Sequence, residues 1–203
     1  MKYDTFCGGI FETNCYLFHA PEGVVLFDAP EGCCTWLQNR GVDLKLLILT
    51  HGHVDHVIDV AKIKRKFDCP IGCHCDTAPM ISDPNFFRNF GFGFDLEPVA
   101  PDFFIEETAE REFLGAKFQI FEVPGHCPGS LCFFLRPQKL LVGGDVLFAG
   151  GVGRWDLPGG DAPQLFQGIK EKLFPLGDDI IVLPGHGPPT KIGEERRTNP
   201  FVR

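Results

Sequence analysis

The sequence is short of basic charge: 19 lysines and arginines stand against 27 aspartates and glutamates, a net charge of −8. That balance disfavours phosphate backbones and provides no polybasic anchor, so neither a nucleic-acid nor a membrane partner is expected. A long apolar run is also missing. No segment approaches the ~18 residues of a membrane span, and Met1 to Phe6 (MKYDTF) has no apolar leader core. Nor do the cysteines make a disulfide framework, because there are nine of them in a chain long enough to build its own core. Reduced thiols in the cytoplasm are the expectation, with the oligomeric state left open.

The rest of the composition is that of a globular chain, 44% hydrophobic and 23% charged, with no break that marks a domain boundary. Residues 1–203 are therefore expected to form one domain. Phenylalanine, at 21 residues, makes the core or a pocket wall aromatic.

Against this background one stretch stands out. Thr50-His51-Gly52-His53-Val54-Asp55-His56 holds three of the seven histidines within six positions. Imidazole is neither a good core filler nor a good helix former, so packing does not ask for this density. Transition-metal sites do ask for it, since imidazole nitrogen and carboxylate oxygen suit Zn, Mn or Fe. The cluster follows an expected strand, Leu44–Leu49, and precedes an expected helix over 57–67 and a short strand at 70–74. It thus falls at the carboxyl end of a strand, where α/β sheets bind ligands.

Other strands are expected at Ile10–Phe18, Val24–Phe27, Glu112–Leu114, Lys117–Val123, Leu131–Leu135, Lys139–Val142 and Asp179–Leu183, with helices at 33–40 and 162–173. Runs such as Val24-Val25-Leu26-Phe27 lack polar alternation, which suits strands covered on both faces. Residues 82–101 do not read as regular structure. Their phenylalanines make either an Ω-loop packed on itself or an aromatic flap over the site.

Three more candidate ligands follow apolar strands and have glycine beside them: His126 (VPGH), Asp145 (GGD) and His186 (PGHG). Together with the cluster they make five histidines and two aspartates, enough for two metals sharing one carboxylate. Paired metals serve hydrolysis by acidifying a bridging water and polarising a scissile carbonyl.

Several residues have two readings. Cys73-His74-Cys75 alternates faces on a strand and does not converge on one ion, so His74 reads as a strand-end histidine. His19 reads as a surface residue. Asp28 is either a turn residue or a partner that orients a ligand histidine, the latter preferred. Arg154 either meets an anionic substrate or makes a buried pair with Asp156 or Asp161.

The Thr-His-x-His-x-Asp-His run, followed by Pro-Gly-His, Gly-Asp and Pro-Gly-His-Gly, resembles the metallo-β-lactamase fold superfamily over essentially the whole chain. The resemblance implies an α/β (α+β) chain folded as a four-layer αββα sandwich with a dinuclear centre at one edge. It also implies that His51, His53 and His126 hold one divalent ion, that Asp55, His56 and His186 hold the other, and that Asp145 bridges them. The ions implied are two zincs, with iron or manganese as alternatives.

Gly143–Phe148, the Gly-Arg-x-Asp-Leu-Pro-Gly-Gly-Asp run at 153–161 and the tail Thr198–Val202 are similar to short bacterial glyoxalase II-type thioesterases. Two positions depart from that pattern, Trp155 and Cys127, where the group usually has threonine. The implied reaction is hydrolysis of a small thioester of the S-lactoylglutathione type by a metal-bridging hydroxide. Asp55 is a candidate proton acceptor, and the thiolate departs without a dedicated acid.

The alternative is a mononuclear-iron persulfide dioxygenase of the same fold, which shares the Gly-Arg-x-Asp element. β-Lactam hydrolysis is disfavoured because lactamases rarely keep a histidine at the position of His56. Nuclease activity is disfavoured by charge, and a vestigial scaffold by the complete ligand set. Lys191, Arg196 and Arg197 are candidates for offsetting the acidic charge near an anionic substrate.

Overall fold

The computed structural model describes every residue except Phe92 and Phe94. Its strands form two six-stranded sheets. The first has the order β1 (Tyr3–Gly8), β2 (Thr13–Ala20), β3 (Gly23–Phe27), β4 (Leu44–Ile48), β5 (Ile71–Cys73), β6 (Phe103–Phe104). From one edge to the other, the second runs β14 (Thr190–Lys191), β13 (Ile181–Pro184), β10 (Leu140–Gly144), β9 (Leu131–Leu135), β8 (Ala116–Glu122), β7 (Thr108–Phe113). A short hairpin, β11 (Leu147–Phe148) and β12 (Gly151–Val152), stands apart from both.

The layering follows from side-chain alternation. On β2, Tyr16 and Phe18 point into the space between the sheets, while Cys15 and Leu17 point to the outer face. On β9, Leu131, Phe133 and Leu135 point inward, and Cys132 and Phe134 outward. Both sets are buried because helices cover both outer faces. The first sheet is covered by α1 (Cys33–Asn39), α2 (Val54–Val57) and α3 (Val60–Phe67), the second by α6 (Ala162–Gly168) and its continuation. This is the αββα sandwich expected. Aromatic rings fill the centre, where Phe27 lies 5.0 Å from Phe133, 5.5 Å from Phe18 and 5.7 Å from Phe118 between ring centroids.

The departures from expectation lie at breaks and ends. The strand read over Ile10–Phe18 begins only at Thr13, since Gly9 and Glu12 take positive φ (71° and 53°) and make a turn after the unforeseen β1. The helix over 57–67 is two pieces. Asp59 breaks it by donating its N–H to the Ala29 carbonyl and accepting from the Cys34 amide with its carboxylate. Residues 82–101, read as irregular, include a helical turn, α5 (Phe86–Asn89), preceded by α4 (Ala78–Ser82). Two phenylalanines of the proposed flap, Phe92 and Phe94, lie outside the described residues. The helix over 162–173 is α6 followed by a wider π-type turn at Ile169–Leu173.

A C-terminal helix, α7 (Ile192–Thr198), was not foreseen, and it fastens the small hairpin. Buried Glu195 accepts from the Thr190 hydroxyl at 2.5 Å, the Gly150 N–H at 2.9 Å and Asn199 Nδ2 at 2.8 Å. Asn199 in turn donates to the Gly151 carbonyl. Replacing Glu195 by Ala strands three donors, a cost of about 3 kcal/mol. Urea unfolding of Glu195→Ala checks this; an unchanged midpoint would show that the hairpin does not depend on the strap.

Candidate metal centre

All seven expected ligand residues meet at one edge of the sandwich, where the loops after β4, β8, β10 and β13 converge. Three overlapping groups, His51/His53/His126, His51/His56/Asp145 and Asp55/His56/His186, each bring one ligand atom per residue within 4.8 Å of the others. Asp145 spans the cluster. Its Oδ1 lies 3.2 Å from His56 Nε2, and its Oδ2 lies 3.4 Å from His126 Nε2 and 3.3 Å from His186 Nε2. Asp55 Oδ2 is 3.3 Å from His186 Nε2 and 3.5 Å from His56 Nε2.

What aims these nitrogens is the bond each ring makes on its far side. His56 Nδ1 donates to Asp28 Oδ2 at 2.8 Å, His126 Nδ1 to the Arg154 carbonyl at 2.7 Å, and His186 Nδ1 to the Phe11 carbonyl at 3.0 Å. A proton held on Nδ1 leaves the Nε2 lone pair facing inward, as metal ligation requires. Asp28 also accepts from the Thr50 N–H at 2.7 Å and hydroxyl at 2.8 Å, and that hydroxyl is 3.1 Å from His51 Nδ1. The preferred reading of Asp28, as a partner orienting a histidine, matches this geometry.

The residues present fit a cation. His56 Nε2 and Asp145 Oδ1 are buried without a hydrogen-bond partner, although they face each other. Orphaned atoms of this kind are costly unless a positive ion lies between them. The backbone is also pressed close. A Cβ on Gly185 would sit 2.0 Å from Asp145 Oδ1, and one on Gly153 would sit 2.0 Å from the Asp145 carbonyl and 2.9 Å from the His126 ring. Only glycine fits either place.

Protonation without a metal reflects the same crowding. Burial, reinforced by neighbouring histidines, drives the His51 pKa well down, and burial takes His53 down to about 3. His126 is lowered as well, again chiefly by burial. On His56 burial works against the charge, but Asp145, Asp28 and Asp55 outweigh it and raise the pKa well above the usual value. His186 reaches about 10 in the same way, with Asp145 and Asp55 overcoming burial.

Sequence reasoning missed the residues that hold this loop cluster in register. Thr13 donates its hydroxyl to Asp55 Oδ2 at 2.7 Å. Asn14 donates its N–H to the Gly185 carbonyl at 2.7 Å and its side-chain amide to the carbonyls of Pro184 (3.1 Å) and Gly187 (2.9 Å). Tyr16 adds an O–H bond to the Pro184 carbonyl at 2.7 Å. The available signal was a polar Thr-Asn pair opening an otherwise apolar strand.

Other candidates fall away from the centre. Cys127 is fully buried against Met80, and burial pushes its thiol up to about 12, so it is an inert filler. Trp155 turns from the ligands to an aromatic cluster, 5.2 Å from Phe166 and 5.8 Å from Phe201. Arg154 forks onto Asp156 at 2.8 and 2.9 Å, an exposed pair in place of the buried one considered from sequence. Asp161 instead caps α6 by accepting from the Gln164 N–H. Arg196 and Arg197 face Asp178, and Lys191 lines a separate groove, so none of the three lies in the wall over the ligands. His74, Cys75 and Asp76 bring ligand atoms together, but His74 Nδ1 already accepts from the Asp76 amide. His19 pairs with Asp4 at the surface.

A histidine- and aspartate-rich centre at the edge of an αββα sandwich defines a class of metal-dependent hydrolases. The chain belongs to the metallo-beta-lactamase superfamily, whose family model matches residues 8–186. It is 37% identical to the hydroxyacylglutathione hydrolase GloC of Haemophilus influenzae over 95% of this chain and 93% of the relative. Among solved structures it is similar to the B3 metallo-beta-lactamase BLEG-1 (TM-score 0.91, 31% identity, 99% of each chain). It is also similar to TTHA1623, solved in a di-iron-bound form (TM-score 0.86, 36% identity, 98% of this chain and 100% of that one). Membership implies divalent metal ions. No helix among the described residues is long and apolar enough to cross a membrane.

Asp28→Ala is expected to cut metal affinity 10- to 100-fold by freeing the His56 ring, at the usual scale for such partners. Competition with a chromophoric chelator measures it, and unchanged affinity would refute the orienting role. Because His56 and His186 carry protons at pH 7 without metal, cation uptake there should release protons and tighten as pH rises. A titration in weak buffer with a pH indicator checks this; uptake without proton release would contradict it.

Proposed function

We propose that this protein hydrolyses small thioesters of the acylglutathione kind at a pair of divalent ions. The observation that carries the reading is the convergence of five imidazoles and two carboxylates, with Asp145 reaching both halves of the set. In this reading His51, His53 and His126 would hold one ion and Asp55, His56 and His186 the other, with Asp145 within reach of both sets. The relative named as a hydroxyacylglutathione hydrolase supports the choice of a thioester.

When bound, such ions lower the pKa of a shared water and polarise the acyl carbonyl. The protein's own groups do the remaining work. The carbonyls of Phe11 and Arg154 and the carboxylate of Asp28 keep the imidazole lone pairs aimed inward, so that little reorganisation accompanies the reaction. Asp55, whose Oδ2 accepts from the Thr13 hydroxyl, would serve first as a ligand, and it is also the proposed acceptor of the water's proton. Burial raises its pKa, but His56 and His186 win and bring it down to about 2, so it is ionised and suited to hold a cation. A thiol of pKa ~8.5 leaves as thiolate at little cost, which removes the need for a general acid.

Zinc is the proposed metal, with iron the principal competitor because a relative at 36% identity was solved with two irons. The place of action proposed is the cytoplasm.

Metal content per chain, followed by S-lactoylglutathione hydrolysis, cleavage of a chromogenic cephalosporin and glutathione-persulfide-dependent O₂ uptake on one sample, tests the proposal. Two metals and thioester cleavage alone are expected. A single iron with O₂ uptake would move the assignment to a persulfide dioxygenase, and cephalosporin cleavage without thioesterase activity to a lactamase. Asp145→Ala should lose both metals and about 10²- to 10³-fold or more in kcat/KM, the lower bound being the scale of removing one electrostatic group from such a site.

A further inference from the structure

A cavity of about 480 Å³ opens over the candidate ligands, ample for a small organic substrate. Leaving the ligands aside, its described wall consists of Phe11, Val54, Phe87, Phe148, Val152 and Leu157, all apolar, and one charged residue, Arg154. The Arg154 guanidinium is held by Asp156 through Nε and Nη2, in a pair that is itself exposed to water. The other basic residues considered from sequence lie elsewhere: Arg196 pairs with Asp178, and Lys191 faces a different groove.

The apolar wall is built into the frame that aims the ligands. Phe11 contributes its side chain to the cavity while its carbonyl holds His186, and Phe148 sets its ring edge-on to His186 at 6.0 Å between centroids. Phe148 and Val152 sit on the two strands of the β11–β12 hairpin that Glu195 and Asn199 strap down. Phe87, in the only helical turn of the 82–101 segment among the described residues, closes the wall from the other side. An acyl chain lying there trades water for hydrocarbon, whereas an acyl hydroxyl meets, among the described residues beside the ligands, only the Arg154 guanidinium as a polar side chain.

We infer that the site selects thioesters whose acyl group is an apolar chain or ring, in preference to short hydroxyacyl groups such as lactoyl. The inference rests on the thioester reading above and narrows it. The reaction is unchanged: water adds its oxygen to the acyl carbon, the C–S bond breaks with its electron pair going to sulfur, and acid and thiol are released.

The test holds the thiol constant and varies the acyl group. Acetyl-, butyryl-, hexanoyl- and lactoylglutathione are compared with the metal-loaded protein. Burying a methylene is worth roughly 3- to 4-fold, so kcat/KM should rise about 10-fold from acetyl to butyryl, with hexanoyl well above lactoyl. In parallel, calorimetric binding of S-methyl-, S-butyl- and S-hexylglutathione, which lack a cleavable bond, should show Kd falling along the series. Leu157→Asn and Phe148→Ser, checked for unchanged melting temperature, should each flatten both series.

A flat or falling thioether series, or lactoyl preferred over butyryl, overturns the inference even if thioesters are cleaved. A steep thioether series with no thioester cleaved leaves the apolar selectivity standing and removes the hydrolysis reading instead.

Discussion

Buried negative charge is the constraint on which this structure turns. Asp28 and Asp145 are buried and Asp55 is half-buried at one edge of the sandwich, and each is aimed at histidines rather than at lysine or arginine. Asp28 saturates itself with the Thr50 N–H, the Thr50 hydroxyl and His56 Nδ1. It takes a positive φ of 64° to do so, which costs local strain that those three bonds offset. Asp145 has no such closure. Its buried Oδ1 faces the buried His56 Nε2 at 3.2 Å, an arrangement completed by a proton in the free protein and suited to a cation in its place.

The loops that carry the candidate ligands are tied together through β2. The opening residues of β2 reach across to the Pro184–Gly187 segment through Asn14 and Tyr16, and to Asp55 through Thr13. The carbonyls of Phe11 and Arg154 each grip a candidate ligand histidine, and the same two residues line the cavity. Cavity wall and candidate metal centre thus share the same stretches of backbone. A change of side chain in the wall can alter selectivity while the carbonyl that aims the histidine stays in place.

Much of this was legible in the sequence because its signals were local. Histidine density in 51–56 and the Gly-flanked His126, Asp145 and His186 marked the members of the centre, and unbroken apolar runs such as Val24–Phe27 marked strands covered on both faces. What escaped were long-range hydrogen bonds. Thr13 and Asn14 look like ordinary strand residues until the Pro184–Gly187 loop is brought beside them, and a main-chain carbonyl such as that of Arg154 has no sequence signature. Asp59 was hidden inside a helical pattern that it breaks with tertiary bonds. The basic residues near the C-terminus were offered as substrate partners on charge alone, and the fold spends Arg196 and Arg197 on Asp178.

The central claim is that one carboxylate, Asp145, joins two cation positions. Anomalous diffraction from a metal-loaded crystal, collected on either side of the metal's absorption edge, tests it directly. The account predicts two peaks about 3.5–4 Å apart, one among His51, His53 and His126, the other among Asp55, His56 and His186, with Asp145 touching both. A single peak at full loading, or a second peak out of reach of Asp145, would contradict it.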